Sequence, residues 1–278
     1  MASYNEIVLA VEDGLRKQKQ TGVTLLDFQS RLDKFKHFNY ASLSDNEIYW
    51  IITKAVFFAL RVKAAKVEEK LPVLEKRFGD YKKLSTATKT DILELGRVDF
   101  HPIYITMQQL AVRCFENSCE YKQLINEHGS FQAYLIDKFG IADTSCSDSS
   151  LIKLHAALRK RFSGIGEKAS WHIITELGFN AIKPDSVIIR IFTRLGLVNE
   201  GDTDNRVIQV GRDIAAELSL PIRYIDIIFV KYGQIGRSDL LGTIDGICTE
   251  INPKCDRCGL STMCIYKGTI IVGDTTLT

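Results

Sequence analysis

The stretch Phe162-Ser-Gly-Ile-Gly-Glu-Lys168 decides the fold that we predict for this chain. Apolar residues recur at helical spacing before it and after it, at Leu151, Leu154, Leu158, Ala169, Ile173 and Leu177. The glycines on either side of Ile165 favour a tight turn, with Ile165 tucked between two helices. The pattern predicts a helix-hairpin-helix whose outward backbone amides, around Gly164 to Glu167, can hold a phosphate without reading base sequence.

The turn has a second interpretation, as a tight helix–helix corner that binds no ligand. The local charge favours phosphate binding, because the segment from Lys153 to Lys168 carries five basic residues and only Glu167 as an acid. Such a basic run is also typical of a solvated helix face. We include Gly164, Ile165, Gly166 and Arg161 among the candidate DNA contacts.

Lys168 and Asp185 are the candidate catalytic residues beside this turn. Lys168 follows in the first turn of the second helix, where the helix dipole and nearby cations favour a neutral, nucleophilic amine. It could also be a surface lysine that contacts phosphate. Asp185 follows Pro184 and opens another apolar helix. It fits a plain N-cap, and a capping bond would also orient the carboxylate and keep it ionised for catalysis.

The composition sets the class of protein. The 278 residues are 45% hydrophobic and 25% charged, as in soluble globular proteins. No apolar run reaches the ~18–20 residues of a membrane span, and the N-terminus lacks a signal-peptide pattern. We expect an intracellular protein with no membrane partner, cytoplasmic and nucleoid-associated in a prokaryote or nuclear in a eukaryote. The net charge of +2 means that any DNA-binding surface is local.

Hydrophobic periodicity predicts an all-α fold. Ser44 and Glu47 form a capping box before an apolar helix that spans 48–60. Further helices are predicted to start at Leu71-Pro72 and to span 104–115. The segment from Pro221 to Tyr232 fits a strand or a helix, and we predict a helix because no partner strand is evident nearby.

Four of the seven cysteines, Cys248, Cys255, Cys258 and Cys264, crowd into one C-terminal loop. Their spacing is Cys-x6-Cys-x2-Cys-x5-Cys. Structural zinc sites commonly use two separated cysteine or histidine pairs, whereas this loop has one close pair and two flanking thiols. Four thiolates on one short loop favour a 4Fe-4S cluster over zinc or free thiols. A single cluster in a helical protein suggests a structural role rather than electron transfer.

This cysteine loop, together with the Gly-Ile-Gly-x-Lys hairpin and the following aspartate, resembles the endonuclease III family of base-excision DNA glycosylases. The resemblance runs from about Ser44 to Cys264. It implies a two-lobed, all-α, helix-hairpin-helix DNA glycosylase fold with a C-terminal iron–sulfur cluster loop. We expect a helical barrel domain at 44–178 and a cluster domain formed by 1–43 plus 179–278. The expected partner is duplex DNA with a damaged or modified base, bound by a monomer in a groove between the lobes.

The resemblance also implies a reaction. In the family, the lysine at the position of Lys168 attacks the sugar C1′ as the base leaves, forms a Schiff base and cuts the strand by β-elimination. The aspartate at the position of Asp185 stabilises the developing positive charge and assists proton transfer. The chain would be a DNA glycosylase with AP-lyase activity. The alternatives are a glycosylase that does not cut, and a non-catalytic iron–sulfur protein that binds DNA or senses redox state.

Arg61 and Lys63 are candidate DNA contacts for a different reason. In the family, a residue shortly after the buried early helix fills the gap left by the extracted nucleotide. A loose alignment puts Arg61 there, although both residues also fit ordinary solvated charge. The family signature at this point is absent, and Lys183-Pro184 replaces the small apolar residues that usually precede the aspartate. The base that is removed therefore stays open.

Two neighbours of the hairpin, Trp171 and His172, could approach an extracted base, although Trp171 fits the core equally well. No partner is evident in the sequence for three further histidines and three further cysteines. We therefore interpret them as structural or surface residues: His101, His128, His155, Cys114, Cys119 and Cys146.

Overall fold

A computed structural model describes residues 3–37, 40–60 and 62–266. The regular elements in this part of the chain are all helices. The α-helices are α1 (Tyr4–Lys17), α2 (Leu25–Lys36), α3 (Asp45–Phe58), α4 (Ala64–Phe78), α5 (Tyr81–Leu84), α6 (Lys89–Leu95), α7 (Met107–His128), α8 (Phe131–Phe139), α9 (Asp148–Arg161), α10 (Glu167–Glu176), α11 (Ser186–Arg194), α12 (Asp204–Glu217) and α13 (Ile222–Gly233). Short 3-10 helices lie at Tyr40–Ser42 and Cys255–Arg257. The all-α prediction is confirmed. Among the described helices, none has the length and apolar character needed to cross a membrane.

The capping box at Ser44 forms as predicted and starts α3. The Ser44 side chain accepts a hydrogen bond from the Glu47 amide at 3.3 Å, and the Glu47 carboxylate accepts one from the Ser44 amide at 2.8 Å. The helix that follows buries most of its circumference, including Ile48, Ile52 and Val56. This explains why its sequence shows little amphipathic pattern.

Two predicted helix boundaries are wrong. The helix expected to begin at Leu71-Pro72 begins at Ala64, with Pro72 inside it. Proline lacks an amide and disfavours a helix interior, but buried residues on both sides, Val67 and Leu74, hold the two halves of α4 together. The helix expected at 104–115 begins at Met107 and continues to His128, because buried residues recur along its polar second half.

The helices pack in two groups. One group surrounds α3, which contacts α4, α7 and α10. The other surrounds α13, which contacts α1, α2, α11 and α12. The segment predicted as helix from Pro221 to Tyr232 is thus confirmed as α13, and it is buried on nearly every face. Since α10 contacts both α3 and α13, the second hairpin helix joins the two groups. The domain boundaries at 44 and 178 stay a prediction.

Candidate active site between the two helix groups

The hairpin turn between α9 and α10 presents a helix N-terminus without a side-chain cap. Gly164 has φ +82°, a conformation that glycine adopts without strain. Gly166 is the N-cap of α10, and no side chain hydrogen-bonds to the cap. Ile165 between them is 5% exposed and packs in the core, as predicted. The first amides of α10 are therefore available to an anion.

Two residues of α7 that the sequence interpretation missed support this turn. The Asn117 side chain donates to the Ser163 carbonyl at 3.0 Å and accepts from the Ser163 amide at 2.7 Å. Arg113 lies directly against Gly164, since a Cβ added at that glycine would stand 2.6 Å from Arg113 Cδ. The turn thus has a rigid support and a cation beside it. Neither residue forms a local motif with the hairpin, so only packing reveals them.

His155 and Trp171 lie beneath the turn rather than in a pocket. Their rings stack with centroids 4.5 Å apart, and His155 Nε2 donates to the Glu167 carbonyl at 3.2 Å. Burial lowers the pKa of His155, which keeps the ring neutral at neutral pH. Both residues are part of the structural support of the hairpin.

Lys168, the predicted nucleophile, points along the outer face of the hairpin. Its amine donates to both carboxylate oxygens of Asp204, at 2.9 and 2.7 Å, and to the Pro184 carbonyl at 2.6 Å. The side chain is 49% exposed. The amine thus reaches the backbone one residue before Asp185 and forms its ion pair with Asp204.

Asp185 is the N-cap of α11, as predicted, and its two oxygens have different partners. Oδ1 accepts from the amides of Val187 and Ile188, both at 3.0 Å. Oδ2 lies 3.3 Å from the amine of Lys183. Capping therefore fixes the direction of the carboxylate and leaves one oxygen facing a charged partner.

The other candidate DNA contacts lie in different surroundings. Arg161 forms ion pairs with Glu120 and Glu127 and lies over the ring of Tyr134, so it is bound to α7 and α8 rather than to the turn. Lys63 is exposed immediately before α4. Arg61 lies outside the described residues.

A cavity of about 500 Å³ lies between the two helix groups. Asp185 and Lys183 line it, whereas Lys168 does not. Its apolar wall includes Phe35, Phe58, Leu71, Pro72, Val187 and Ile227. This volume falls in the range of small-molecule and cofactor sites.

Buried charges form the floor of this cavity. Arg223 donates to Glu176 and, at 2.8 Å, to Asp226 Oδ2, and the amine of Lys54 donates to Glu176 at 2.7 Å. Burial opposes ionisation of Glu176, but Arg223 and Lys54 outweigh it and lower the pKa of this carboxyl well below its usual value. Burial raises the pKa of Asp226 to about 6 despite Arg223, with Asp185 adding repulsion.

Two polar atoms on this cavity have no hydrogen-bond partner in the described part of the chain, His172 Nε2 and Asp226 Oδ1. Burial, with repulsion from Lys183, lowers the pKa of His172 well below its usual value, so the ring is neutral at neutral pH. An unsatisfied buried polar atom costs about 1–3 kcal/mol, which a bound polar ligand would relieve. The sequence indicates these buried charges only weakly. Glu176 and Asp226 each interrupt an apolar helix, and such interruptions mark buried ion pairs.

The C-terminal cysteine loop encloses a separate cavity of about 110 Å³, lined by Cys248, Cys255, Cys258 and Cys264. Arg194 donates to Cys248 Sγ at 3.2 Å, and the Tyr232 hydroxyl lies 3.1 Å from Cys258 Sγ. Within the described residues, no group of three or more histidine, cysteine, aspartate or glutamate side chains is positioned to hold a metal ion. The four thiols line one shared space, and Arg194 donates to one of them, so these cysteines are the candidate ligands for a metal group.

Comparisons with known proteins bear on the fold. No family model matches the sequence, and no curated protein matches it. The structure of the 8-oxoguanine DNA glycosylase of Thermotoga maritima matches with a TM-score of 0.50 and 16% identity, over 87% of this chain and 100% of that chain.

Two structures of endonuclease III with DNA, a trapped covalent intermediate and a non-covalent complex, also match. Each shares 15% identity with a TM-score of 0.46, over 95% of this chain and 97% or 96% of theirs. At these identities the likeness concerns the fold. The chain has the all-α helix-hairpin-helix DNA glycosylase fold that its hairpin and cysteine loop predict.

Proposed function

We propose that this protein is a base-excision DNA glycosylase with AP-lyase activity, acting on a damaged or modified base in duplex DNA. One observation carries the proposal. Lys168 lies in the first turn of the hairpin helix, and its amine donates a hydrogen bond to the carbonyl of Pro184. Pro184 directly precedes Asp185, which lines the cavity. A phosphate held at the turn would therefore lie close to the mouth of the cavity that holds the carboxylate.

The hairpin would hold the DNA backbone and the cavity would receive the extruded nucleotide. The free amides of α10 and the guanidinium of Arg113 supply donors and positive charge for a phosphate, independent of base sequence. The rings of Phe35 and Phe58 offer apolar surfaces for the base. Extraction also exposes the sugar to Asp185, which duplex stacking would otherwise prevent.

The chemistry then runs through Lys168 and Asp185. The Lys168 amine forms a bond to C1′ while the bond from C1′ to the base breaks. The electron pair leaves with the base, which takes up a proton. Asp185 stabilises the positive charge on the sugar and accepts a proton from the amine. Breaking the C1′–O4′ bond, with protonation of O4′, gives the imine. Loss of a 2′ proton then expels the 3′ phosphate with the C3′–O3′ electron pair, and water releases Lys168.

A second candidate is a glycosylase that removes the base without cutting the strand. The ion pair between Lys168 and Asp204 favours it, because the amine must leave Asp204 before it can reach C1′. In that case, water would replace Lys168 as the nucleophile and Asp185 would keep its role.

Borohydride trapping on duplex DNA with an abasic site distinguishes the two. The wild-type protein should form a covalent complex, and Lys168→Ala should not. Asp185→Asn should slow the reaction at least tenfold while DNA affinity stays within a factor of two, since the carboxylate acts on the reaction rather than on binding. A wild-type protein that forms no complex would leave the non-cutting glycosylase, to be tested on a panel of lesion-bearing duplexes.

We also propose that the cysteine loop holds a 4Fe-4S cluster through Cys248, Cys255, Cys258 and Cys264. The cluster would stabilise the loop next to α11 rather than take part in the reaction. Protein purified without refolding should be brown and contain about four irons per chain, with little zinc. Stoichiometric zinc in such a preparation would overturn this assignment.

A further inference from the structure

The half-buried ion pair between Lys183 and Asp185 has no role in the function proposed above. Both side chains line the cavity between the helix groups, with exposures of 22% and 18%. The carboxylate oxygen that Lys183 faces is Oδ2, because Oδ1 is occupied by the amides of Val187 and Ile188. Lys183 is thus the charged side chain in contact with the free oxygen of Asp185.

The cavity explains why this contact matters. Glu176 and Asp226, two of the other carboxylates that line it, each contact a cation. Lys54 and Arg223 hold Glu176, and Arg223 also holds Asp226. For Asp185, the cation in contact is Lys183, whose amine lies 3.3 Å from Oδ2.

Other charges around Asp185 do not replace Lys183. From α11, the guanidinium of Arg190 is within electrostatic range, but it donates to the carbonyls of Gly233 and Cys248, at 2.8 and 3.2 Å. From α13, Asp226 repels Asp185, and Arg223 is shared between two other carboxylates. From α10, the amine of Lys168 is bound to Asp204 and the Pro184 carbonyl. Without Lys183, Asp185 would face a buried carboxylate with no cation of its own.

We propose that Lys183 is a positioning residue for Asp185, holding its free oxygen towards the sugar inside a cavity that other carboxylates also line. The proposal rests on the function proposed above, in which Asp185 must be charged to receive the proton of Lys168. It also accounts for a lysine at a position where the resembling family has a small apolar residue.

The test measures the rates of borohydride trapping and strand cleavage on abasic-site duplex DNA. Lys183→Met should slow trapping by about tenfold at neutral pH, because the free oxygen of Asp185 loses the charge-assisted contact that holds it in place. Lys183→Arg should restore most of the rate. Lys70→Met, which removes a partly exposed lysine outside the cavity, should leave the rate unchanged.

A double-mutant cycle separates positioning from loss of fold. In an Asp185→Asn background, Lys183→Met should cause no further slowing, since no charge remains to be held. An equal slowing in both backgrounds, or a wild-type rate for Lys183→Met, would overturn the proposal. Trapping that is lost in Lys183→Met and kept in Lys168→Ala would also overturn it, since Lys183 would then be the nucleophile. Failure of the wild-type protein to trap would instead refute the lyase function.

Discussion

At the scale of single residues, the position of Lys168 is the main departure from the geometry that the hairpin motif implies. The amine is half exposed and paired with Asp204, which lies in the first turn of α12. Because this pair is outside the cavity, it opposes attack on a sugar bound within it. Asp204 thus restrains the proposed nucleophile from a distant part of the chain.

Replacing Asp204 with asparagine should therefore speed Schiff-base formation. An exposed ion pair is worth ~0.2–1 kcal/mol, so we expect an increase of about 1.4- to fivefold in the single-turnover trapping rate. Asp202→Asn, which changes a nearby acid that instead bonds the Asn199 amide, is the control and should leave the rate unchanged. A slower Asp204→Asn enzyme would mean that the carboxylate helps to deliver the amine.

At the scale of elements, the hairpin turn needs a left-handed backbone conformation at Gly164 and is also the proposed phosphate contact. Two glycine substitutions separate these two roles. Gly164 and Gly140 both have positive φ, +82° and +66°, so alanine is strained at either position. A Cβ at Gly140 meets open space, whereas one at Gly164 would displace Arg113 from the turn. Only Gly164 lies at the proposed DNA contact.

Gly164→Ala and Gly140→Ala should each lower the free energy of unfolding by about 1–2 kcal/mol, the cost of the left-handed conformation. Gly164→Ala should in addition weaken binding to undamaged duplex DNA by on the order of tenfold, since charge-assisted phosphate contacts are lost. Urea unfolding and fluorescence anisotropy measure the two effects. Equal DNA affinity in both variants would remove the turn from the proposed interface.

At the scale of the whole molecule, the two helix groups meet across buried charge as well as apolar surface. Glu176 of α10 receives Lys54 from α3 and Arg223 from α13, which belong to different groups. Removing one member of such a network leaves uncompensated charge where water has little access. The network therefore links the stability of the molecule to the shape of the cavity.

Glu176→Gln should lower the free energy of unfolding by about 3 kcal/mol at pH 7, because Lys54 loses its charged partner and Arg223 loses one of its two. Glu94→Gln, which breaks an exposed pair with Arg97, should change it by less than ~0.5 kcal/mol. Urea unfolding of both variants provides the comparison.

This difference should also depend on pH. The folded-state pKa of Glu176 lies below its ordinary value of 4.5, so its stabilising contribution is present above pH 4.5 and is lost as the pH falls further. Wild type and Glu176→Gln should therefore converge in stability on acidification. A difference that stays constant from pH 7 to pH 3 would contradict the ionised network.

The sequence by itself determined the features built from contiguous residues. These features include the turn at Gly164 to Gly166 and the caps at Ser44 and Asp185, which depend on backbone geometry over a few residues. The spacing of the four cysteines is visible in the sequence directly. Such geometry is encoded locally, and helical periodicity adds the all-α class. The resemblance built on these features is confirmed at the level of the fold.

Tertiary structure alone decided which charges meet in the cavity. Lys54, Glu176, Arg223 and Asp226 come from three helices, and only the burial of the apolar faces of α3, α10 and α13 brings them together. The same packing directs Lys168 to Asp204, 36 residues away, and leaves Lys183 as the cation at the free oxygen of Asp185. Hydrophobic periodicity predicts that a helix has a buried face. It does not predict which helix packs against that face, and this packing determines which charged side chains meet in the site.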